Sequence, residues 1–490
     1  MVRDHLIRTV YHFDKPRTLF QLQRFDCFSL QSVEFRVLPL MTRTPSVVSH
    51  NPVVLRAGPL KITLSQLKYF TFTMIGIALL WPWNCFLSAS AYYGDRFVHT
   101  KPLVKVYSST MMSVSTVVST CYNYYLSQVQ QGVNYTFRIN IGLGLTIGVF
   151  VLMAFSCVMD LFIRMNDYAF FVGLMVMVLI SAMATCLAQN GTMATVNVLG
   201  QIYTNAVMVG QAIAGTLPAI ALIVSILLVG EKGASITALE GDDDYYVQKN
   251  FGVFMYYITA SVISAASIGL LALTNYYRND YYYRSLTEII LDEEGIEGLE
   301  PQTTIQENYV PFAVLWSKLK FIVLTIFLTF SVTLVFPVFA SVVESVHVDS
   351  THVFFRKSIF IPFIYLVWNL GDLVGRIACG AKNSIFLVKN SHTLLWYSVG
   401  RLLFIPLFMT CNIHPGSVTP LISSDVWYIL LQFLFGFSNG QLCTSCFMVV
   451  GSHCDNDDEK EAAGGFTAVF LSVGLAVGSL LSYLLVFVVG

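Results

Sequence analysis

The sequence predicts an all-α polytopic membrane protein with eleven transmembrane helices arranged as six plus five. Three observations carry this. Of 490 residues, 55% are apolar and only 12% are charged. No Asp, Glu, Lys or Arg interrupts the 63 residues from Tyr168 to Gly230, room for two passes at about 20 residues each. Apolar runs of spanning length recur from Tyr69 to the C-terminus, and the polar stretch 275–318 separates the first six from the last five.

In chain order, the charge-poor runs place spans near 69–91, 104–128, 138–160, 168–190, 198–229 and 251–274. The second group lies near 319–343, 358–381, 393–413, 426–451 and 465–489. These bounds give a first bundle over 67–274, a cytoplasmic linker over 275–318 and a second bundle over 319–490. Six helices plus five is the layout of a two-bundle transporter with its site between the halves. Residues 1–66 carry nine Lys/Arg against four Asp/Glu, which holds a poorly ordered N-terminal segment in the cytoplasm and, with an odd span count, puts the C-terminus outside. Arg3, Asp4 and Arg8 break any secretory core, and Met41 is an alternative start. The expected location is the plasma membrane, and the expected state a monomer in the lipid bilayer.

A net charge of −1 lacks the basic patch that nucleic acid demands, so that partner class is excluded. Cys443 and Cys446 have metal-ligand spacing, but no second pair follows, and small buried hydrophobes are the better reading. The sequons at Asn134 and Asn190 fall at the cytoplasmic side and at membrane depth, so neither is expected to carry glycan. Tyr276, Tyr277, Tyr281, Tyr282 and Tyr283 sit where a span leaves the bilayer, as anchoring rings do. Asp242, Asp243 and Asp244 read as a solvated turn, and Asp292 to Glu300 as an acidic stretch of the linker.

Three charged residues lie well inside spans: Asp372, Arg376 and Arg401. A charge near the bilayer centre costs about 2.5–3.5 kcal/mol on insertion scales, so such residues suggest function. Asp372 and Arg376 share one helix face about 6 Å apart, and Asn369 extends that face. A carboxylate accepting hydroxyl hydrogen bonds beside a guanidinium that donates several suits a polyhydroxylated ligand such as a ribose. The competing reading is a latch between helices. Leu80-Trp81-Pro82-Trp83-Asn84 puts a kink, an indole and an amide in the first span, and Trp83 offers a stacking face. Gln189 offers a carboxamide able to read a base edge, and Phe336-Pro337 combines a ring with a kink. Gly210 to Gly215 reads as close helix packing.

Together these residues resemble the equilibrative nucleoside transporters. The resemblance rests on Pro82-Trp83-Asn84, Phe336-Pro337, Asn369-x-x-Asp372-x-x-Gly375-Arg376, Arg401 to Pro406 with Cys411 to Pro415, Phe437-Ser438-Asn439-Gly440, and Glu461-Ala462-Ala463-Gly464. It covers residues 67–490. It implies a major-facilitator-like pair of bundles around a central nucleoside cavity, facilitative transport of nucleosides and also nucleobases, no cofactor and no enzymatic reaction. Site residues implied are Trp83, Gln189, Asn369, Asp372 and Arg376, lined by Leu80, Leu87 and Phe336, with Asn84, Pro337, Arg401 and Asn439 as structural or gating candidates. The chain departs from the family pattern at Asn190, Leu373 and Gln441.

Three alternatives stay open. Within the same fold, an organic cation carrier needs an unpaired acid or an aromatic cage, yet the fifth span has no acid and Asp372 has a basic neighbour. A proton-coupled nucleoside carrier differs only in its driving force. From another class, a polytopic receptor or membrane enzyme needs a catalytic cluster, and His347, Asp349 and His352 share no helix face.

Overall fold

The chain folds as a two-bundle array of long helices, in a computed structural model that describes residues 51–490 apart from 58–59, 131, 230–249, 293–308, 348–352, 414–419 and 490. Met41, Asp242 to Asp244, Glu293 to Glu300, Asp349 and His352 lie outside the described residues. The long helices, numbered in chain order, are α1 Leu64–Ser88, α2 Lys101–Gln128, α3 Tyr135–Ser156, α4 Asp167–Leu199, α5 Gln201–Val229 and α6 Phe251–Asp292. They continue with α7 Phe312–Thr333, α8 Lys357–Gly380, α9 Ser391–Gly400, α10 Asp425–Val450 and α11 Asp457–Val489. Among the described residues, eight helices are long and apolar enough to cross a membrane. Helices α2 and α5 fall on two of the other expected spans, and the third, 393–413, holds the ten-residue α9, a 3-10 turn and the short helix Phe404–Phe408.

Polar residues at the ends of apolar runs set where these helices begin. Thr63 and Gln66 form a reciprocal capping box at α1. Asn134 caps α3, Asn166 caps α4 and Ser424 caps α10, each through its side-chain oxygen. Two helices break. At Leu334 α7 gives way to the short helix Val335–Val342, with Pro337 in its first turn, where a missing backbone N–H is tolerated. Arg401 opens a 3-10 turn after α9, followed by the short helix Phe404–Phe408.

Two expectations change. The segment before the first span is not uniformly irregular: Val53–Ala57 (β1) pairs antiparallel with Leu60–Thr63 (β2), tied by Asn51 to Thr63 and Ser65. The first part of the expected linker, through Asp292, continues α6 as helix, because nothing in Tyr276 to Asp292 breaks one.

Helices α1 to α6 pack as the first bundle and α7 to α11 as the second, and the principal seams between them are α5 against α8 and both α2 and α4 against α11. Within the second bundle, α8 and α10 approach through reciprocal glycines. A Cβ on Gly371 or Gly375 would run into the backbone of Phe433 or Phe437, and one on Gly436 or Gly440 into Trp368 or Asp372. Gly76 and Gly210 play the same part between α1 and α5, which accounts for the small residues there. Gly440→Ala forces these backbones apart, and at about 1–3 kcal/mol it should lower the melting temperature of the detergent-solubilised protein. An unchanged melting temperature would show that the contact is not tight.

Candidate functional site

The only acid and base that share a buried turn of α8 are answered from both bundles. Asp372 is 4% exposed and Arg376 6%. Arg376 Nε donates to Asp372 Oδ2 at 2.8 Å, as the four-residue spacing predicts. The other carboxylate oxygen accepts from Asn439 Nδ2 on α10 at 2.7 Å, and Asn439 Oδ1 in turn accepts from Thr333 Oγ1 at 2.6 Å. Arg376 Nη1 reaches across the seam to α5, donating to the Met208 carbonyl at 3.0 Å and to Gln211 Oε1 at 3.4 Å. The carboxylate is thus held within the second bundle while the guanidinium is held by the first. Each partner offsets part of the several kcal/mol needed to strip either ion of water.

Asn369 lies one turn further along α8, half-buried. Its amide donates to the Tyr365 carbonyl at 2.8 Å, and its own carbonyl faces Thr216 Oγ1 on α5 at 3.5 Å. Gly215 is what lets it approach, since a Cβ there would stand 2.7 Å from Asn369 Oδ1. Asn84 Nδ2 donates to the Ala214 carbonyl at 2.7 Å, pinning α1 to the same part of α5. Pro82 lies inside α1 beside it, and the Trp81 indole bonds Thr259 on α6 at 2.8 Å.

Phe336 is buried and stacks on Trp368, with ring centres 4.6 Å apart and planes at 14°. Tyr365 meets its edge at 4.9 Å. Pro337, Trp83, Leu80 and Gln189 are half-buried, and Leu87 is exposed in the last turn of α1. Neither Trp83 nor Gln189 hydrogen-bonds to the ion pair. At 1.5 Å per residue, Asp372 lies about 12 Å from the end of α8, and Gln189 about 15 Å from the end of α4, where α4 gives way to α5. Trp83 lies toward the C-terminal end of α1.

Arg401, 1% exposed, is a pin inside the second bundle. Its guanidinium donates to Ser438 Oγ and to the Thr329 carbonyl, both at 3.1 Å, and lies 4.6 Å from the Phe435 ring centre. Cys443 and Cys446 are buried free thiols.

Three residues escaped sequence reasoning. Asn205, 2% exposed, donates to the Arg376 carbonyl at 2.8 Å and accepts from Tyr69 at 3.4 Å. Its signal was available: an amide inside a charge-free span is costly unless partnered. Arg138 is buried at the start of α3 and donates to Asn190 Oδ1 at 2.5 Å and to the Val129 carbonyl at 2.6 Å. That bond explains why an amide stands at Asn190. Trp368 lines the Phe336 stack, with its indole nitrogen buried and unpartnered.

Replacing Arg376 by Met strands the Asp372 carboxylate and should cost about 3–5 kcal/mol. The double change Asp372→Leu with Arg376→Met should recover most of it. Thermal unfolding of both variants checks this, and equal losses would show that the ion pair carries no coupling.

The profile of a family described as "Nucleoside transporter" matches residues 174–487. The chain is 37% identical over 470 residues to "Nucleoside transporter FUN26" of Saccharomyces cerevisiae, covering 88% of this chain and 86% of that one. It is 26% identical over 466 residues to "Equilibrative nucleoside transporter 1" of Homo sapiens, covering 85% and 96%. Among solved structures it resembles the human organic anion transporter MFSD10, with a TM-score of 0.51 at 13% identity over 86% of this chain and 94% of that one. The proton:xylose symporter XylE, of the major facilitator superfamily, matches with a TM-score of 0.51 at 8% identity over 86% and 88%. These two likenesses are of fold, and they agree with the two-bundle architecture.

Proposed function

The chain belongs to the nucleoside transporter family, and from that premise we propose a facilitative carrier that moves nucleosides, and nucleobases with them, by alternating access of the two bundles. The observation that carries the mechanism is the Asp372–Arg376 pair, divided between the second bundle and the first. Its bonds use one acceptor site on each carboxylate oxygen and the Nε and Nη1 of the guanidinium. Acceptor sites on Asp372 and the Nη2 donors remain for ribose hydroxyls when the bundles part. Asn369 adds an amide on the same face, Gln189 a second amide, and Trp83 a ring for the base, with Leu80, Leu87 and Phe336 as apolar lining.

A ligand meeting groups from both bundles draws them together, which is how binding is coupled to rocking. Nothing in this mechanism makes or breaks a covalent bond. A cation carrier is disfavoured, because Asp372 is already neutralised by Arg376. The N-terminus faces the cytoplasm and the C-terminus the exterior, in a monomer at the plasma membrane. Surface labelling and cross-linking check these assignments.

Uptake of labelled uridine and adenosine by vesicles holding the full chain should saturate and stop at equal concentrations, with or without a proton gradient. Accumulation above equality under a proton gradient would overturn the facilitative reading. Asp372→Ala, at equal expression, should lose most uptake, and wild-type affinity in that variant would remove the pair from the site. Trp83→Ala should weaken every nucleoside to a similar degree, since stacking at about 1–3 kcal/mol tolerates any base. Selective loss of one base would contradict that role.

A further inference from the structure

We infer that Asn205 is the positioning residue of a cytoplasmic latch, and that it sets which way the empty carrier rests. The inference rests on the transport reading and orientation proposed above. Asn205 joins three helices: its amide donates to the Arg376 carbonyl on α8 at 2.8 Å, and its oxygen accepts from Tyr69 of α1 at 3.4 Å. It is 2% exposed, and it presses on Gly380, where any Cβ would collide with its amide group. Three residues along α5, the Met208 carbonyl takes the Arg376 guanidinium, and Gln211 follows one turn on. Asn205, Met208 and Gln211 follow one another at three-residue steps along α5, each within reach of α8.

The hydrogen bonds that join the bundles cluster toward this end. Asn197 of α4 donates to the Lys460 carbonyl of α11 at 3.1 Å, and Gln130 accepts from the backbone of Val310 at 3.1 Å. Gly464 and Gly465 of α11 meet Ala194, Asn190 and Ser127 so closely that no side chain fits. On the proposed topology this is the cytoplasmic face, so the structure is closed there. The seam is also built to separate. Beside Asn205, a cavity of about 200 Å³ between the bundles is lined by Asn197, Gln201, Thr204, Ser452 and Lys460, so parting it uncovers groups that water can satisfy. Asn205 is different from these. Its amide is dry and its bond crosses the seam, so it favours only the conformation in which α5 touches α8.

A carrier resting with its cytoplasmic end closed returns quickly after influx and slowly after efflux, so maximal influx exceeds maximal efflux. Weakening the latch lowers that ratio, and KM in each direction moves in proportion to its maximal rate, because a facilitative carrier cannot alter the final distribution. The test measures initial uridine influx and efflux, each at saturating uridine on one side and none on the other, in sealed vesicles of one orientation. Asn205→Ala removes the bond from the first bundle, and Gly380→Ala pushes against the same amide from the second. Each should lower the influx-to-efflux ratio roughly fivefold, the population shift one neutral hydrogen bond supports.

Thr71→Ala serves as the control. Its hydroxyl bonds Thr274 at 2.8 Å inside the first bundle, so its loss should scale both directions alike. An unchanged ratio in both seam variants, with uptake intact, overturns the latch. A raised ratio overturns its cytoplasmic placement. If Asn205→Ala does not reach the membrane, Gly380→Ala decides alone. Failure of the transport reading would appear earlier, as no saturable uptake by the unaltered protein.

Discussion

Asp372 and Arg376 bind each other on one turn of α8, yet their remaining hydrogen bonds go to different halves of the protein. The carboxylate is held by Asn439 of its own bundle, and the guanidinium by the Met208 carbonyl of the other. Neither ion is tolerable alone in a low-dielectric interior, so the pair makes contact between α8 and α5 a condition of its own burial. The positions of α10 and α5 around α8 follow from that constraint. On the proposed function, a ligand that binds this pair meets groups held by both bundles.

Glycine makes these contacts possible. Helices meeting through large side chains keep their axes too far apart for short polar groups to reach across, and Gly371, Gly375, Gly436 and Gly440 remove that spacing between α8 and α10. The same device recurs at Gly215, which admits Asn369, and at Gly380, which admits Asn205. Small residues and amides are therefore one design. Gly215 and Gly380 each give an amide somewhere to go, and the other four glycines bring two backbones together.

Much of this was legible in the chain. Uncharged runs located the helices, since a bilayer tolerates few charges along about 20 residues. The spacing of Asp372 and Arg376 predicted their bond, because a helix places every fourth residue on one face. The kink at Pro337 was legible from the proline, whereas the break at Arg401 and the extension of α6 to Asp292 were not, because polarity marks where a helix leaves the membrane but not where it stops. The hairpin before α1 was missed for want of a periodic signal.

The sequence by itself determined the class of the protein, the order of its helices and the residues too polar to be lipid-facing. Local chemistry suffices for these, because hydropathy and helical spacing act within one segment. Only the tertiary structure decided which helix answers each polar group: that Arg376 belongs to α5 as much as to α8, that Arg401 pins one bundle, and that Asn205 bonds across a seam. Those pairings join different helices, those of Arg376 and Asn205 across more than 160 positions of the chain, and no periodicity within a span encodes its neighbour across the bundle.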